Sequence, residues 1–171
     1  MLQLSAAITN RPVMSLRTGG QVATAVTPII NPDNLKIEGF YCNDLFENKE
    51  LILLYQDIRD IIPQGIVIDD HNVLVEESEL VRLRKVLELQ FELIGKPIET
   101  VDKEKVGKVG DFAVETGSMT IQKLYASQSI IRSFTGGSLS IDRSQIVEIT
   151  QKRVIINELL KRAPLPAAGI A

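Results

Sequence analysis

The stretch LELQFELIGKPI, residues 87–98, has a diverged counterpart at the start of the chain in LQLSAAITNRPV, residues 2–13. The two stretches align without a gap, and the alignment pairs Leu2 with Leu87, Leu4 with Leu89, Ile8 with Leu93, Arg11 with Lys96, Pro12 with Pro97 and Val13 with Ile98. Self-similarity at a fixed spacing is typical of duplicated folded units. We therefore interpret the pair as the beginning of an internal repeat.

The similarity continues along both halves of the chain. QVATAVTPIINPDNLKIEGFY (21–41) aligns with KVGKVGDFAVETGSMTIQKLY (105–125), and LILLYQDIRDIIPQGIVID (51–69) aligns with LSIDRSQIVEITQKRVIIN (139–157). The register changes twice, at 14–20 against 99–104 and at 42–50 against 126–138, and both stretches are predicted loops, where insertions cost little. Changes of length confined to loops indicate two homologous units.

Each repeat has the pattern of short β-strands. Apolar, β-branched runs such as VATAV, LILL and GIVID alternate with turn signals such as Asn-Pro-Asp and Pro-Gln-Gly. Because so small a sheet would expose both edges, we expect each repeat to close into a barrel. ESELVRLRKVL (77–87) predicts a helix with Ser78 as its N-cap. The predicted fold is mainly β, with two tandem small closed β-barrels at 1–75 and 88–160, a linker helix at 76–87 and a disordered tail at 161–171.

The second repeat resembles the PRC-barrel domain, a small β-barrel named for the photosynthetic reaction centre H subunit and also found in a ribosome-maturation factor. LIGKPIETVDKEKVGKVGDFAVE (93–115) and the closing IVEITQKRVIIN (146–157) carry the resemblance. The first repeat departs from it, with NRPV for GKPI and VATAVT for VGKVGD. The resemblance implies closed barrels and a role as an adaptor or assembly module on a larger complex, in photosynthesis, RNA processing or cell division.

Two glycines of this motif have a physical interpretation. Gly107 and Gly110 lie inside a predicted strand, where glycine weakens the strand by roughly 0.5 to 1 kcal/mol relative to alanine. They therefore predict a sharp bend or a close backbone approach. The first repeat has Ala23 and Val26 at the aligned positions, which predicts a gentler bend there.

Composition indicates a globular protein with a packed core. Apolar residues make up 44% of the chain, charged residues 24%, and the net charge is -3. We expect a cytoplasmic protein, because the sequence has neither a long apolar segment for a membrane span nor a secretory signal. The single cysteine, Cys42, is consistent with a reducing compartment.

Few residues can support catalysis. A dyad of Cys42 with the only histidine, His71, is conceivable, but a buried cysteine and an exposed turn histidine are the simpler interpretation. The sequence has no metal-ligand spacing, and its Gly-Gly pairs do not precede a helix, so they are interpreted as turns. We expect a non-enzymatic protein without a cofactor or metal.

Contact with a protein partner is the function that the sequence favours. Ile130, Ile131 and Phe134 lie on a loop four residues longer than its counterpart, which carries Phe46. Apolar side chains on a loop are typical of a binding patch, although they could also fold back over the core. A homo-oligomer is a further option.

An RNA- or ribosome-associated role is the alternative function. Lys152, Arg153, Lys161 and Arg162 could gather at one end of the second repeat. The chain has no tryptophan and only 5% aromatic residues, so it offers few stacking platforms for single-stranded RNA.

Overall fold

The structure is a computed structural model that describes residues 1–127 and 139–157. The chain is mainly β. The strands of the described residues are β1 Leu2–Leu4, β2 Arg11–Ser15, β3 Gln21–Asn31, β4 Lys36–Asp44, β5 Glu50–Leu54, β6 Ile58–Ile62, β7 Gly65–Ile68, β8 Pro97–Thr100, β9 Lys105–Glu115, β10 Thr120–Ser127, β11 Leu139–Asp142, β12 Ile146–Ile149 and β13 Val154–Ile156. One α-helix, α1 Arg84–Leu89, accompanies them, with single 3-10 turns at Ser5–Ala7, Tyr55–Asp57, His71–Val73, Glu77–Glu79 and Arg143–Gln145. Within this part of the chain, no helix is long and apolar enough to cross a membrane.

The chain divides into two compact units that do not follow the repeats. The N-terminal unit contains Met1–Glu92 together with Phe112–Gln122, which are the end of β9, its turn and the start of β10. The C-terminal unit contains Leu93–Asp111 and the chain from Lys123 onward.

The N-terminal unit is built on an ordered set of strand pairs. β5, β4, β3 and β2 are antiparallel neighbours in that order, β2 then pairs in parallel with β7, and β7 pairs antiparallel with β6. Successive residues of a strand point to opposite faces, and in β5 both faces are covered, since Leu51, Ile52 and Leu53 are all buried. The most deeply buried side chains of this unit include Val13, Ile37, Phe40, Leu53, Ile66 and Ile68.

The C-terminal unit has the corresponding pairs. β8 pairs antiparallel with β9 and in parallel with β13, β13 pairs with β12, and β10 pairs with β11. Its buried side chains include Ile98, Val106, Leu124, Ile141, Val154 and Ile156. Each of these six aligns with an apolar residue of the first repeat that is also buried, whereas Leu2, Leu4 and Leu89, which the repeat also pairs, are exposed.

The predicted closure into two small barrels is wrong. The strands of the described residues belong to one open mixed sheet. The prediction assumed that each sheet must close on itself to satisfy its edges. Instead the sheet is extended, because Thr120 of β10 pairs with Lys36 of β4 and β1 pairs with β9 at Leu2–Glu115.

The predicted linker helix at 76–87 is also wrong. The helix begins only at Arg84 and lies within the N-terminal unit, where it packs on β3. Leu87 is buried against Ile29 and Ile52, with Leu80 and Leu83 packed around them. Of the predicted apolar face only Leu87 is helical and buried; Leu80 and Leu83 precede the helix and are half-buried. The apolar side chains of this segment cover the sheet of their own unit.

LELQFEL (87–93) alternates apolar and polar residues, a pattern that predicts a strand by Phe91, but no strand forms there. Gln90 adopts a left-handed conformation with φ of 45° and ends α1, and Phe91 follows outside any strand, with its side chain buried.

The bend predicted at Gly107 coincides with an irregularity in the sheet. The register between β8 and β9 shifts next to Gly107, whose φ is 145°, a value that side chains rarely adopt. The register between β2 and β3 shifts next to Ala23, but Ala23 does not have a positive φ. Gly110 also lacks a positive φ, and a Cβ there would make ordinary contact, so only Gly107 requires glycine.

Valine at Gly107 should therefore destabilise the protein more than valine at Ala23. We expect Gly107→Val to cost about 2 to 3 kcal/mol through backbone strain, and Ala23→Val to cost about 1 kcal/mol through overpacking. Chemical denaturation of the two variants measures this difference. Equal losses would contradict the assignment of the bend to Gly107.

Candidate functional site

The candidate site lies at the end of β4 in the N-terminal unit. Asp44 is the last residue of this strand, and its side chain is fully buried. Its carboxylate accepts hydrogen bonds from the backbone N–H groups of Phe46 at 3.3 Å and Glu47 at 3.0 Å. These bonds fix the loop that follows, because an aspartate that binds the N–H groups ahead of it imposes a turn.

His71 supplies the third contact of this carboxylate. Its Nε2 lies 2.7 Å from Asp44 Oδ1. Burial by itself would raise the pKa of Asp44, but the hydrogen bonds from His71, Glu47 and Phe46 outweigh it and hold the pKa below its usual value. Asp44 is therefore a buried carboxylate that is ionised at neutral pH.

The segment that carries His71 is held by two further ion pairs. Asp70 accepts the backbone N–H of His71 at 2.8 Å and binds Arg17 at 2.9 Å, and Asp69 binds Arg59 at 2.7 Å. The backbone N–H of Arg17 also donates to Asp69 O at 3.0 Å. These contacts hold the two residues that precede His71 and so fix the position of its imidazole.

The ring of Phe46 packs against the imidazole of His71. The two rings meet edge to face, with centroids 4.9 Å apart and planes at 81°. Phe46 is nevertheless 66% exposed, and its neighbour Leu45 is 51% exposed. Leu16, on the loop that precedes Gln21, is also exposed. The site therefore presents a fixed aromatic ring to solvent above a buried aspartate and a partly exposed histidine. We call Leu45, Phe46, His71 and Asp44 the Phe46 site.

Cys42 does not have the environment of a nucleophile. It lies two residues before Asp44 on β4, is completely buried, and donates from Sγ to Phe40 O at 3.6 Å. Burial raises the pKa of its thiol to about 12, so the reactive thiolate is scarce at neutral pH. The imidazole that a dyad would need is hydrogen-bonded to Asp44.

Sequence reasoning placed Phe46 at a contact surface and missed Asp44. The signal for Asp44 is the position of an aspartate at a strand end before two residues whose N–H groups need acceptors. Pairing with His71 requires the fold, because 27 residues separate them. Ile130, Ile131 and Phe134, the other predicted contact residues, lie outside the described residues.

The predicted basic cluster is described only in part. Lys152 and Arg153 lie in the turn between β12 and β13, and Arg153 Nη1 binds Glu99 Oε1 at 2.9 Å. Lys161 and Arg162 lie outside the described residues. Within residues 1–127 and 139–157, no three His, Cys, Asp or Glu side chains are grouped so that they could hold a metal ion.

Comparison with known proteins gives no family for the chain. No protein-family model matches the sequence, and a search of curated proteins finds no significant match. The resemblance to PRC-barrel domains stays a hypothesis that rests on the motifs at 93–115 and 146–157.

Proposed function

We propose that this chain is a non-enzymatic docking protein that binds a protein partner through the Phe46 site. The observation that carries the proposal is an aromatic ring that is two-thirds exposed yet fixed against His71. An exposed ring on a mobile loop would lose conformational entropy on binding, whereas this one is already ordered. Aromatic anchors of this kind supply much of the binding energy in protein interfaces.

The Asp44–His71 pair beneath the ring supports the same interpretation. The carboxylate of Asp44 holds the loop of Phe46 and the ring of His71 together through three hydrogen bonds. Asp44 is suited to orienting this surface rather than to activating a nucleophile, because the thiol of the nearby Cys42 is buried and stays protonated.

We also propose that the two repeats are tandem copies of one six-stranded unit. In the first, β2 pairs in parallel with β7, and in the second, β8 pairs in parallel with β13. A basic residue precedes a proline at the start of each first strand: Arg11 opens β2, and Lys96 lies just before β8. Both side chains bind the turn between the last two strands of their repeat, Arg11 at Pro63 O and Lys96 Nζ at Gln151 O, the latter at 2.6 Å. These residues are equivalent in the sequence alignment.

Reciprocal contacts inside the N-terminal unit add support for duplication. The backbone N–H of Ile37 donates to Met119 O at 2.8 Å, and that of Ile121 donates to Leu35 O at 2.9 Å. Alignment of the repeats pairs Leu35 with Met119 and Ile37 with Ile121, so each bond is the counterpart of the other. Leu35 and Met119 share an unusual positive φ, 57° and 53°. Under this proposal the loop with Ile130, Ile131 and Phe134 is the second copy's counterpart of the Phe46 loop.

Docking through Phe46 predicts loss of the partner when the ring is replaced by a charge. Phe46→Asp should weaken retention of the partner by about 30-fold, the effect of a hot-spot residue worth about 2 kcal/mol. The measurement is a native pull-down with quantified recovery of the bound protein. Val101→Asp is the matched control, because Val101 is an apolar residue that is 50% exposed and belongs to the C-terminal unit.

Two results would contradict this proposal. One is a partner that Phe46→Asp retains as well as the wild-type chain. The other is a partner that nuclease releases, that salt weakens steeply and that Lys152→Glu loses, which would favour the RNA-associated alternative. Among the described residues of the predicted basic cluster, only Lys152 has no ion pair, since Arg153 is bound to Glu99.

A further inference from the structure

A groove of about 370 Å3 lies in the N-terminal unit, and its described lining includes no residue of the Phe46 site. One wall is the exposed face of β3 and β4, and the other is the segment from the 3-10 turn Glu77–Glu79 through the end of α1. A bridge between Ile52 and Val75 fixes the start of this segment to the sheet. The groove is therefore a feature of the folded unit rather than of a free loop.

The floor of the groove is apolar. Ile29 and Leu87 are both buried there and belong to one hydrophobic cluster. Phe91 lies beside them because the left-handed conformation of Gln90 turns the chain at the end of α1. Tyr41 completes the floor with a half-buried ring. Ile29, Leu87 and Phe91 each expose less than a tenth of their surface, so the floor is a small apolar area beneath the rim.

The rim of the groove is acidic. Glu50, Glu77 and Glu92 line it with exposed side chains, and none of them has an ion-pair partner in residues 1–127 and 139–157. The described lining residues include no lysine or arginine. Lys49, the neighbour of Glu50, forms ion pairs with Glu47 at 2.9 Å and with Glu76 at 2.8 Å.

The phenol of Tyr41 experiences this negative charge. Its pKa is raised by burial first, and then by the carboxylates of Glu77 and Glu50. Two of the rim carboxylates therefore act on the same point of the groove, although they come from different segments of the chain.

We propose that this groove binds a lysine or arginine side chain from a basic, otherwise apolar peptide segment of a protein partner. The methylene stem of such a side chain packs on Ile29, Leu87 and Phe91, while its cationic head reaches the carboxylates at the rim. Charge complementarity argues for this occupant, because an apolar floor between unpaired carboxylates favours a cation on an aliphatic chain over an anion or a neutral chain. The interaction is independent of docking at Phe46.

The test is a titration of the full-length, 15N-labelled chain with the peptide acetyl-Leu-Arg-Leu-amide, followed by amide chemical shifts. We expect shift changes concentrated at residues 27–30, 41 and 86–92. The peptide with citrulline in place of arginine has nearly the same shape without the charge, and it should bind about 10-fold more weakly. Glu50→Gln and Glu77→Gln should each weaken binding about 3-fold.

Glu88→Gln is the matched control, because Glu88 is an exposed glutamate of α1 that does not line the groove. It should leave the dissociation constant unchanged, and unchanged dispersion of the amide spectrum shows that each variant is folded. Equal binding of the citrulline peptide, or an equal loss with Glu88→Gln, would overturn the proposal. Spermidine binding as tightly as the arginine peptide would also overturn it, since the groove would then be a site for small amines.

Discussion

Replacing Gly65 with alanine is expected to lower the free energy of unfolding by about 3 kcal/mol or more, the largest effect of any substitution considered for this chain. Gly65 opens β7 with a φ of 151°, which a residue with a side chain rarely adopts. A Cβ there would also overlap the carbonyl oxygen of Pro12 in β2. The clash is with backbone, so relief requires separating the parallel pair of β2 and β7.

Alanine substitutions at two other glycines distinguish the two causes of this loss, which are backbone strain at a positive φ and overlap with Pro12. Gly95 has a φ of 92° but open space around a Cβ, so Gly95→Ala should cost only about 1 kcal/mol of conformational strain. Gly20 has no positive φ, and the nearest atom to a Cβ lies at 3.9 Å, so Gly20→Ala should be close to neutral. Urea denaturation of the three variants gives the comparison. A loss for Gly65→Ala no larger than that for Gly95→Ala would show that the approach of Pro12 is not tight.

Replacing Asp44 with alanine is expected to cost about 3 kcal/mol, because it leaves two backbone N–H groups and the ring of His71 without their buried acceptor. Asp44→Asn keeps the shape of the side chain and removes only the charge, so its cost should be smaller. Asp102→Asn, in an exposed turn, should be near neutral.

The effect of Asp44 should depend on pH in a defined direction. The folded-state pKa lies below the ordinary value of 3.8, so the stabilisation is complete well above that value. It is lost as the pH falls from the ordinary value through the lower folded pKa. The difference in unfolding free energy between the wild-type chain and Asp44→Asn should therefore be largest near neutral pH and shrink in strong acid. A difference that stays constant over this range would contradict an ionised Asp44.

The apolar patterning of the sequence predicted much of the fold, because each strand is indicated by its own short apolar run. Val13 and Ile98, aligned by the repeat, are both buried, each one residue after the proline near the start of its first strand. Pattern did not predict that the sheet stays open, since the pairing of Thr120 with Lys36 joins residues 84 positions apart. It also could not assign the apolar face around Leu87 to β3, because any apolar surface would satisfy the same spacing.

Like the fold, the candidate site could be predicted from the sequence only where it depends on local features. Phe46 is recognisable as an apolar residue on a loop, which is a local property. Asp44 and His71 come from separate elements, and only the packing of the turn His71–Val73 against the end of β4 brings them together. The groove with the acidic rim likewise depends on the path of residues 76–92 over the sheet.

The central claim, that the chain contains two copies of one strand arrangement, is tested most directly by nuclear Overhauser effects across the parallel strand pairs. In each copy the first strand should lie parallel to the last, so contacts between Val13 and Ile66 should have counterparts between Ile98 and Val154. We predict that both sets appear, with the backbone pattern of parallel strands. Contacts in only one copy, or an antiparallel pattern in either, would contradict the account.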